Sequence, residues 1–565
     1  MKDDVEANPT LWKKFSSWRR GALRGKRQLL LALCLIASLL FSSCAKKANQ
    51  QVAEYNSDQP STGTLTSEIA PNQQANANVA EQEAKKFGDR EAYSHIEENP
   101  FIEVSRAPLS TFSIDVDTAS YSNTRRFLND GRLPPKDAVR IEELVNYFSY
   151  DYPQPVGEAP FSVTAEVSEA PWNKSHRLVH IGLQGKKIPM EQMPPANLVF
   201  LLDVSGSMDE PNKLPLLKAA LKTLVEQLRA TDRVAIVVYA GSSGLVLPST
   251  SGDRKSEIIS ALDQLKAGGS TNGAAGIQLA YQIAQQNFIR GGSNRVILAT
   301  DGDFNVGVTS EGDLVRLIEE KRESGVFLSV LGFGTGNTQD SKMEQLADKG
   351  NGNYAYIDTL NEARKALGEQ IGGTLFTIAK DVKIQVEFNP KQAAAYRLIG
   401  YENRLLRDQD FNDDRKDAGE IGAGHTVTAL YEVVPYGQKF DNAGVDPLKY
   451  QQPAQTTAMA DSRELMNIKL RYKEPDAQVS KLLNIGLADK GSTLNNASEN
   501  FKFASAVAEF GMLLRASQYK ADASYNDVLQ LARASTGADL QGYRTDFIKL
   551  VETARTLSSQ RAALD

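Results

Sequence analysis

Between Asn197 and Thr374, short apolar runs alternate with longer amphipathic stretches. The runs predict strands at 197–203, 233–240, 244–248, 295–300, 326–332 and 353–357. Leu214, Leu217, Leu221, Leu224 and Leu228 recur at helical spacing, as do Ile277, Tyr281, Ala284 and Phe288; a third helix near 311–324 is polar on one face. This alternation predicts an α/β domain with a mainly parallel, doubly wound sheet and helices on both faces. Val234-Ala235-Ile236-Val237-Val238 is apolar at every position, as a strand covered on both sides requires.

The pattern changes on either side. Residues 101–196 alternate like strands at Phe112–Val116, Phe161–Val167 and Leu178–Leu183. Ile141, Leu144, Val145 and Phe148 have helical spacing, so an N-terminal α+β module is expected. Residues 375–472 show strands without helices at 382–386, 396–399, 426–431 and 467–472, which predicts an antiparallel β region interrupted by a polar loop at 440–461. Residues 473–565 carry apolar positions at helical spacing, including Phe503, Val507, Phe510 and Leu514, and are expected to be helical. Residues 45–100 are rich in Gln, Asn, Ala, Glu and Ser without apolar periodicity and read as a disordered tether. As a flexible coil such a tether spans about 40 Å.

A chain of 565 residues is too long for a single core. Its net charge is −6, but residues 1–44 hold eight Lys/Arg and three acids, which leaves 56 basic and 67 acidic residues beyond them. So acidic a body is a poor candidate for nucleic-acid binding, because phosphate neutralisation needs a basic face. Arg24-Gly25-Lys26-Arg27 precedes the apolar run Leu29–Phe41, which is of secretory length and short for a bilayer span. The run ends in Leu40-Phe41-Ser42-Ser43-Cys44 and resembles a bacterial lipoprotein signal, with Phe41 where such signals usually carry Leu. The expectation is a signal peptide at 1–44, lipidation of Cys44, and an exported protein lipid-anchored in the cell envelope. The spacer of small and polar residues after Cys44 favours this over an uncleaved signal anchor. Cys34 and Cys44 are the two cysteines, so the mature chain has no internal disulfide.

Three stretches at the ends of predicted strands, or on loops soon after them, carry the candidate chemistry. They are Asp203-Val204-Ser205-Gly206-Ser207, Gly269-Ser270-Thr271-Asn272-Gly273 and Thr300-Asp301-Gly302-Asp303. Each alone reads as a helix cap or turn before it reads as a ligand. Together, on successive β/α units, they supply hard oxygens to one point at the carboxyl ends of the strands, where ligands bind in such sheets. Ions such as Mg²⁺ take about six oxygens in octahedral geometry. Asp203 and Asp301 balance the ion's charge, while hydroxyls of Ser205, Ser207 and Thr271 add none, so the ion stays attractive to an outside carboxylate.

On these residues the region 197–374 resembles a von Willebrand factor type A domain, and the set Asp203/Ser205/Ser207, Thr271 and Asp301 matches that family's metal-ion-dependent adhesion site. The resemblance implies a Rossmann-like fold and a bound Mg²⁺ (or Mn²⁺ or Ca²⁺). It implies direct ligation by Ser205, Ser207 and Thr271, and contact largely through water by Asp203 and Asp301. The open position then takes an acidic residue of a protein partner. Phe112–Ser122 with Asn146-Tyr147-Phe148, and Gly537-Ala538-Asp539 with Gly542-Tyr543-Arg544, resemble the N- and C-terminal domains of bacterial envelope lipoproteins that carry this module.

Weaker signals point nowhere else. Asp115-Val116-Asp117-Thr118 offers cation ligands but reads as a strand end running into a capped helix. Gly332-Phe333-Gly334-Thr335-Gly336 lacks the last glycine of a dinucleotide loop and reads as a tight turn. His176 and His180 fall on one strand face and read as a surface pair rather than a zinc site. No nucleophile elbow or P-loop is present, so a non-enzymatic binding protein is expected. The alternatives are an envelope assembly factor with a loop-stabilising metal, and a metal-assisted hydrolase.

Overall fold

The structure, a computed structural model, describes residues 91–269, 273–302, 311–438 and 456–563. The signal segment, Cys44, most of the tether, Thr271 and most of the polar loop at 440–461 lie outside the described residues.

The central sheet has six strands in the order Tyr354–Ile357, Phe327–Phe333, Ser293–Thr300, Ala196–Asp203, Arg233–Tyr239, Ser243–Ser251. All neighbours are parallel except the last pair, which is antiparallel. Every residue of Ala196–Asp203 is buried. Its side chains alternate between two cores. Leu198, Phe200 and Leu202 meet Leu217, Leu221 and Leu224 of the helix Leu214–Gln227. Val199 and Leu201 meet Ile277, Tyr281 and Ala284 of the helix Gly273–Gln286. Each such aliphatic side chain contributes about 1.5–3 kcal/mol by burial. The doubly wound α/β fold expected from the apolar pattern is the fold observed. Phe288 differs: the helix ends at Gln286 and Phe288 is 43% exposed. The helix Lys255–Asp263 has no counterpart in the sequence reading, because Ile258 and Leu262 are its only buried positions.

Residues 101–196 and 375–472, read as separate stretches, interleave. One sheet has the order Ile102–Glu103, Ala393–Ile399, Thr426–Pro435, Asn173–Gly185, Phe161–Ala170. The other has the order Gly419–Gly422, Thr377–Phe388, Glu464–Lys473, Lys481–Ala488, with Leu109–Ser113 also paired to Thr377–Phe388. All pairings are antiparallel, and Phe112, Val179, Ile181, Ile384, Val386, Ile468 and Tyr431 share one core. Alternation identifies a strand and its buried face but not its partner, so this sharing was not legible. The strand Lys481–Ala488 also falls inside the stretch expected to be helical. The helices Glu499–Arg515, Tyr525–Ala534 and Tyr543–Ala562 cover the first sheet, with Phe501, Phe503, Phe510 and Phe547 packed near Leu178 and Leu430.

The tether expected to run to residue 100 stops short of that. Ala92 exchanges backbone bonds with Thr338 (2.9 Å) and Asp340 (3.2 Å), and Glu91 pairs with Arg126 (2.7 Å). Buried Asn99 donates to the carbonyls of Leu398 (3.1 Å) and Gly400 (2.8 Å). These anchors are polar and single, so no apolar periodicity announces them.

The histidines read as a surface pair are buried. His180 Nε2 bonds the Tyr152 hydroxyl at 2.8 Å and His176 Nδ1 bonds Glu432 at 2.6 Å. Burial holds His180 down at about 4, and burial with the nearby Lys365 and Arg295 charges does the same for His425. The unfolded chain takes up these protons below about pH 6.5 while the folded chain refuses them until about pH 4, so stability falls as pH drops through that window. Each histidine costs up to about 3 kcal/mol at the bottom of it. Urea midpoints at pH 7 and pH 4.5 test this: the acid-induced drop should be smaller in His180→Gln than in the wild type, and an equal drop would contradict it.

Candidate metal centre

Asp203 ends its strand at the carboxyl rim and is fully buried. One carboxylate oxygen accepts from the Ser205 amide at 2.9 Å, which turns the loop back on the strand. The other accepts from the hydroxyls of Tyr239 (3.1 Å) and Thr300 (3.2 Å). Thr300 in turn accepts from the amide of Gly302 at 3.2 Å, so the first and third stretches are bonded to each other through one side chain. The Ser205 and Ser207 hydroxyl oxygens lie 3.0 Å apart, near the spacing of neighbouring oxygens around a small cation. Among the described residues, backbone bonds fasten the second stretch to the first: the Gly206 amide donates to Gly269 (3.1 Å) and the Gly268 amide to Val204 (2.8 Å). Thr271, two residues on, lies outside the described residues.

Asp301 follows the strand Ser293–Thr300 and is fully buried. One oxygen accepts from the Lys213 ammonium at 3.2 Å and from the Asn337 amide at 3.1 Å. Gly302 has φ +96°, and a Cβ there would come within 2.6 Å of the Gln339 amide nitrogen, so glycine is required. The Lys213 stem lies against Gly334, another glycine at positive φ whose Cβ would strike it. The glycine turn after the strand Phe327–Phe333 therefore makes room for a lysine.

The electrostatics ask for positive charge. Burial pushes Asp203 up to about 6, against the hydrogen bonds that lower it and with the Asp301 charge that raises it further. Lys213 supplies one positive charge from the side. Two carboxylates and two hydroxyls, with no sulfur or imidazole, fit a hard divalent ion. The structure gathers Asp203, Ser205, Ser207 and Asp301 at one rim. Lys213, Asn337 and Tyr239 were missed as parts of the site. A lysine after the Asp-x-Ser-x-Ser loop carries no motif of its own, and Asn337 and Tyr239 belong to other strand ends.

Comparison with known proteins decides the family. The chain is 45% identical over 519 residues to "Uncharacterized protein YfbK" of Escherichia coli (strain K12), covering 90% of this chain and 88% of that protein. This chain belongs to the YfbK family. Within it, residues 197–369 match the model "von Willebrand factor type A domain", residues 88–180 match "von Willebrand factor", and residues 373–557 match "Uncharacterized protein YfbK, C-terminal". The three candidate stretches thus lie in the type A domain of a YfbK-family protein, and such domains are generally protein-interaction modules that commonly bind a divalent ion. "Uncharacterized protein sll0103" of Synechocystis is 29% identical over 192 residues, 34% of this chain and 44% of that one. Among solved structures, "von Willebrand factor type A from Catenulispora acidiphila" is 16% identical with a TM-score of 0.39, covering 69% of this chain and 90% of that chain. Membership of the YfbK family rests on the E. coli relative rather than on that structural likeness.

Proposed function

We propose that this protein is a non-enzymatic, membrane-tethered binding module of the cell envelope. Its type A domain holds Mg²⁺, or another hard divalent ion, and presents it to a carboxylate of a protein partner. The convergence of Asp203, Ser205, Ser207 and Asp301 at one strand-end rim carries the reading. Ser205, Ser207 and Thr271 ligate the ion directly, and Asp203 and Asp301 hold its water and balance its charge. Ser207 is partly exposed, so an ion beside it is reachable from outside.

Two measurements test the proposal. Cross-linked pull-down from cell envelopes in Mg²⁺ should recover a partner that chelator releases; identical recovery in both would count against ion-mediated capture. Cys44→Ser should move the protein from the membrane to the soluble fraction, and an unmoved protein would refute the lipid tether. Among the described residues no helix is long and apolar enough to cross a membrane, so the anchor is sought in the N-terminal segment.

A further inference from the structure

The turn between the strand Phe327–Phe333 and the helix Asp340–Lys349 carries Asn337, whose amide nitrogen donates to Asp301 at 3.1 Å. A carboxylate only accepts, so this bond fixes which end of the amide faces Asp301. The other end, Oδ1, is buried and has no hydrogen-bond partner among the described residues. A buried acceptor without a donor is costly, so a donor is called for at this point beside the metal centre.

The same turn is gripped by residues that the sequence pattern assigns to the tether. The Glu91 side chain is 4% exposed, and its carboxylate is shared between separate elements. One oxygen accepts from Arg126 at 2.7 Å and from the Tyr93 hydroxyl at 2.9 Å. The other accepts from the amide of Gly336, the residue before Asn337, at 2.9 Å. The Ala92 amide donates to the Thr338 carbonyl at 2.9 Å, and the Ala92 carbonyl accepts from the Asp340 amide at 3.2 Å. Residues 91 and 92 thus hold the chain on both sides of Asn337. Gly336 has φ +88°, and among the described residues nothing lies within 4 Å of where its Cβ would sit. Packing does not fix the turn at that point, which leaves the work to the Glu91 bond.

We propose that Asn337 is an outer residue of the metal centre, orienting Asp301 and accepting from the ion's hydration water, and that Glu91 is the positioning residue that holds Asn337 there. The inference rests on the metal reading of Asp203, Ser205, Ser207 and Asp301. The place where the N-terminal segment joins the body and the ion site then share one turn. Ion affinity therefore depends on a side chain that touches none of the ligands.

Two substitutions separate position from charge. Glu91→Asp keeps the charge beside Arg126 but draws the carboxylate back from the Gly336 amide by one methylene. Glu91→Gln gives up the charge but keeps an acceptor of the same reach. Calorimetric titration of the full chain with MgCl2 should show affinity about tenfold weaker in Glu91→Asp and in Asn337→Ala, the scale for outer partners of a metal, and within about twofold of wild type in Glu91→Gln. Glu91→Asp combined with Asn337→Ala should bind no more weakly than Asn337→Ala alone, because both changes break one chain of contacts. Urea midpoints of the metal-free proteins show which variants fold, and Asn337→Ala carries the test if Glu91→Asp does not. Unchanged affinity in Asn337→Ala or in folded Glu91→Asp would overturn the proposal. So would additive losses in the double variant, or a Glu91→Gln protein weaker than Glu91→Asp, which would mean that long-range charge rather than position is at work. A wild type that binds no Mg²⁺ would overturn the metal reading and this inference with it, whereas failure of this inference alone shows only in the variants.

Discussion

Replacing Asp203 by Asn should lower Mg²⁺ affinity at the strand-end site on the order of a hundredfold, the scale seen when an outer partner of a metal is changed. Asn has nearly the same shape: its Oδ1 can still accept the Ser205 amide, so the loop keeps its turn, and its Nδ2 can donate to the Tyr239 and Thr300 hydroxyls once these rotate to accept. What disappears is the negative charge that offsets the ion. Alanine is the poorer test. It would strand the Tyr239 and Thr300 hydroxyls, which both donate to Asp203, at about 1–3 kcal/mol for each buried donor left unpaired. Calorimetric titration with MgCl2 measures the affinity, and the urea midpoint of the metal-free variant checks that the fold is intact. Ser207→Ala should also weaken binding without affecting stability, because Ser207 is partly exposed and its described hydroxyl partner is Ser205. Equal Mg²⁺ affinity in wild type and Asp203→Asn would remove this residue from the site.

Arg125→Met should destabilise the folded chain by about 3–5 kcal/mol, the scale of breaking a buried ion pair from one side. Arg125 lies on the helix Ala119–Asn129 and reaches the type A domain. It pairs with Asp358, pairs with Glu362 at 2.8 Å and donates to the Tyr147 hydroxyl at 2.9 Å. The side chains of Asp358 and Glu362 are 5% and 1% exposed, so without the guanidinium two carboxylates are left in low dielectric beside each other. Although burial raises Glu362, the Arg125 and Lys365 charges more than offset it, and its carboxyl sits below the usual range. Its folded value therefore rises when Arg125 is lost. The variant's deficit should be largest at pH 7, where the unfolded chain is ionised, and shrink towards pH 4.5 as the buried carboxyls accept protons. Urea denaturation at the two pH values reads this. Arg125→Met with Glu362→Gln should recover part of the loss, and a double variant no more stable than the single one would mean that packing, not charge, dominates.

The type A sheet was written locally. Most of its strands are built on short apolar runs such as Val234–Val238 and Val296–Ala299, and the helices Leu214–Gln227 and Gly273–Gln286 carry apolar residues three and four apart, so period and length assign element type. The residues proposed to hold the ion stood out in the sequence for a related reason: chemistry confined to a few consecutive residues in each of three loops is visible without knowing the fold. Lys213 and Asn337 were not, because their function is a contact with Asp301 across 88 and 36 residues of chain.

What only the tertiary structure decided is partnership at long range. Phe161–Ala170 and Asn173–Gly185 form the hairpin they look like, yet Asn173–Gly185 also pairs in register with Thr426–Pro435, His180 opposite Leu430. Residues 91–100 look like solvent-exposed linker, yet Asn99 and Ala92 are tied into the body. The acids Asp115, Glu143 and Glu344 stand on three elements and look like ordinary surface charge until folding buries them together. A strand's pattern encodes which face is wet and a carboxylate's identity encodes its charge. Neither encodes its neighbour, which is set by the lowest free energy of the whole packed chain.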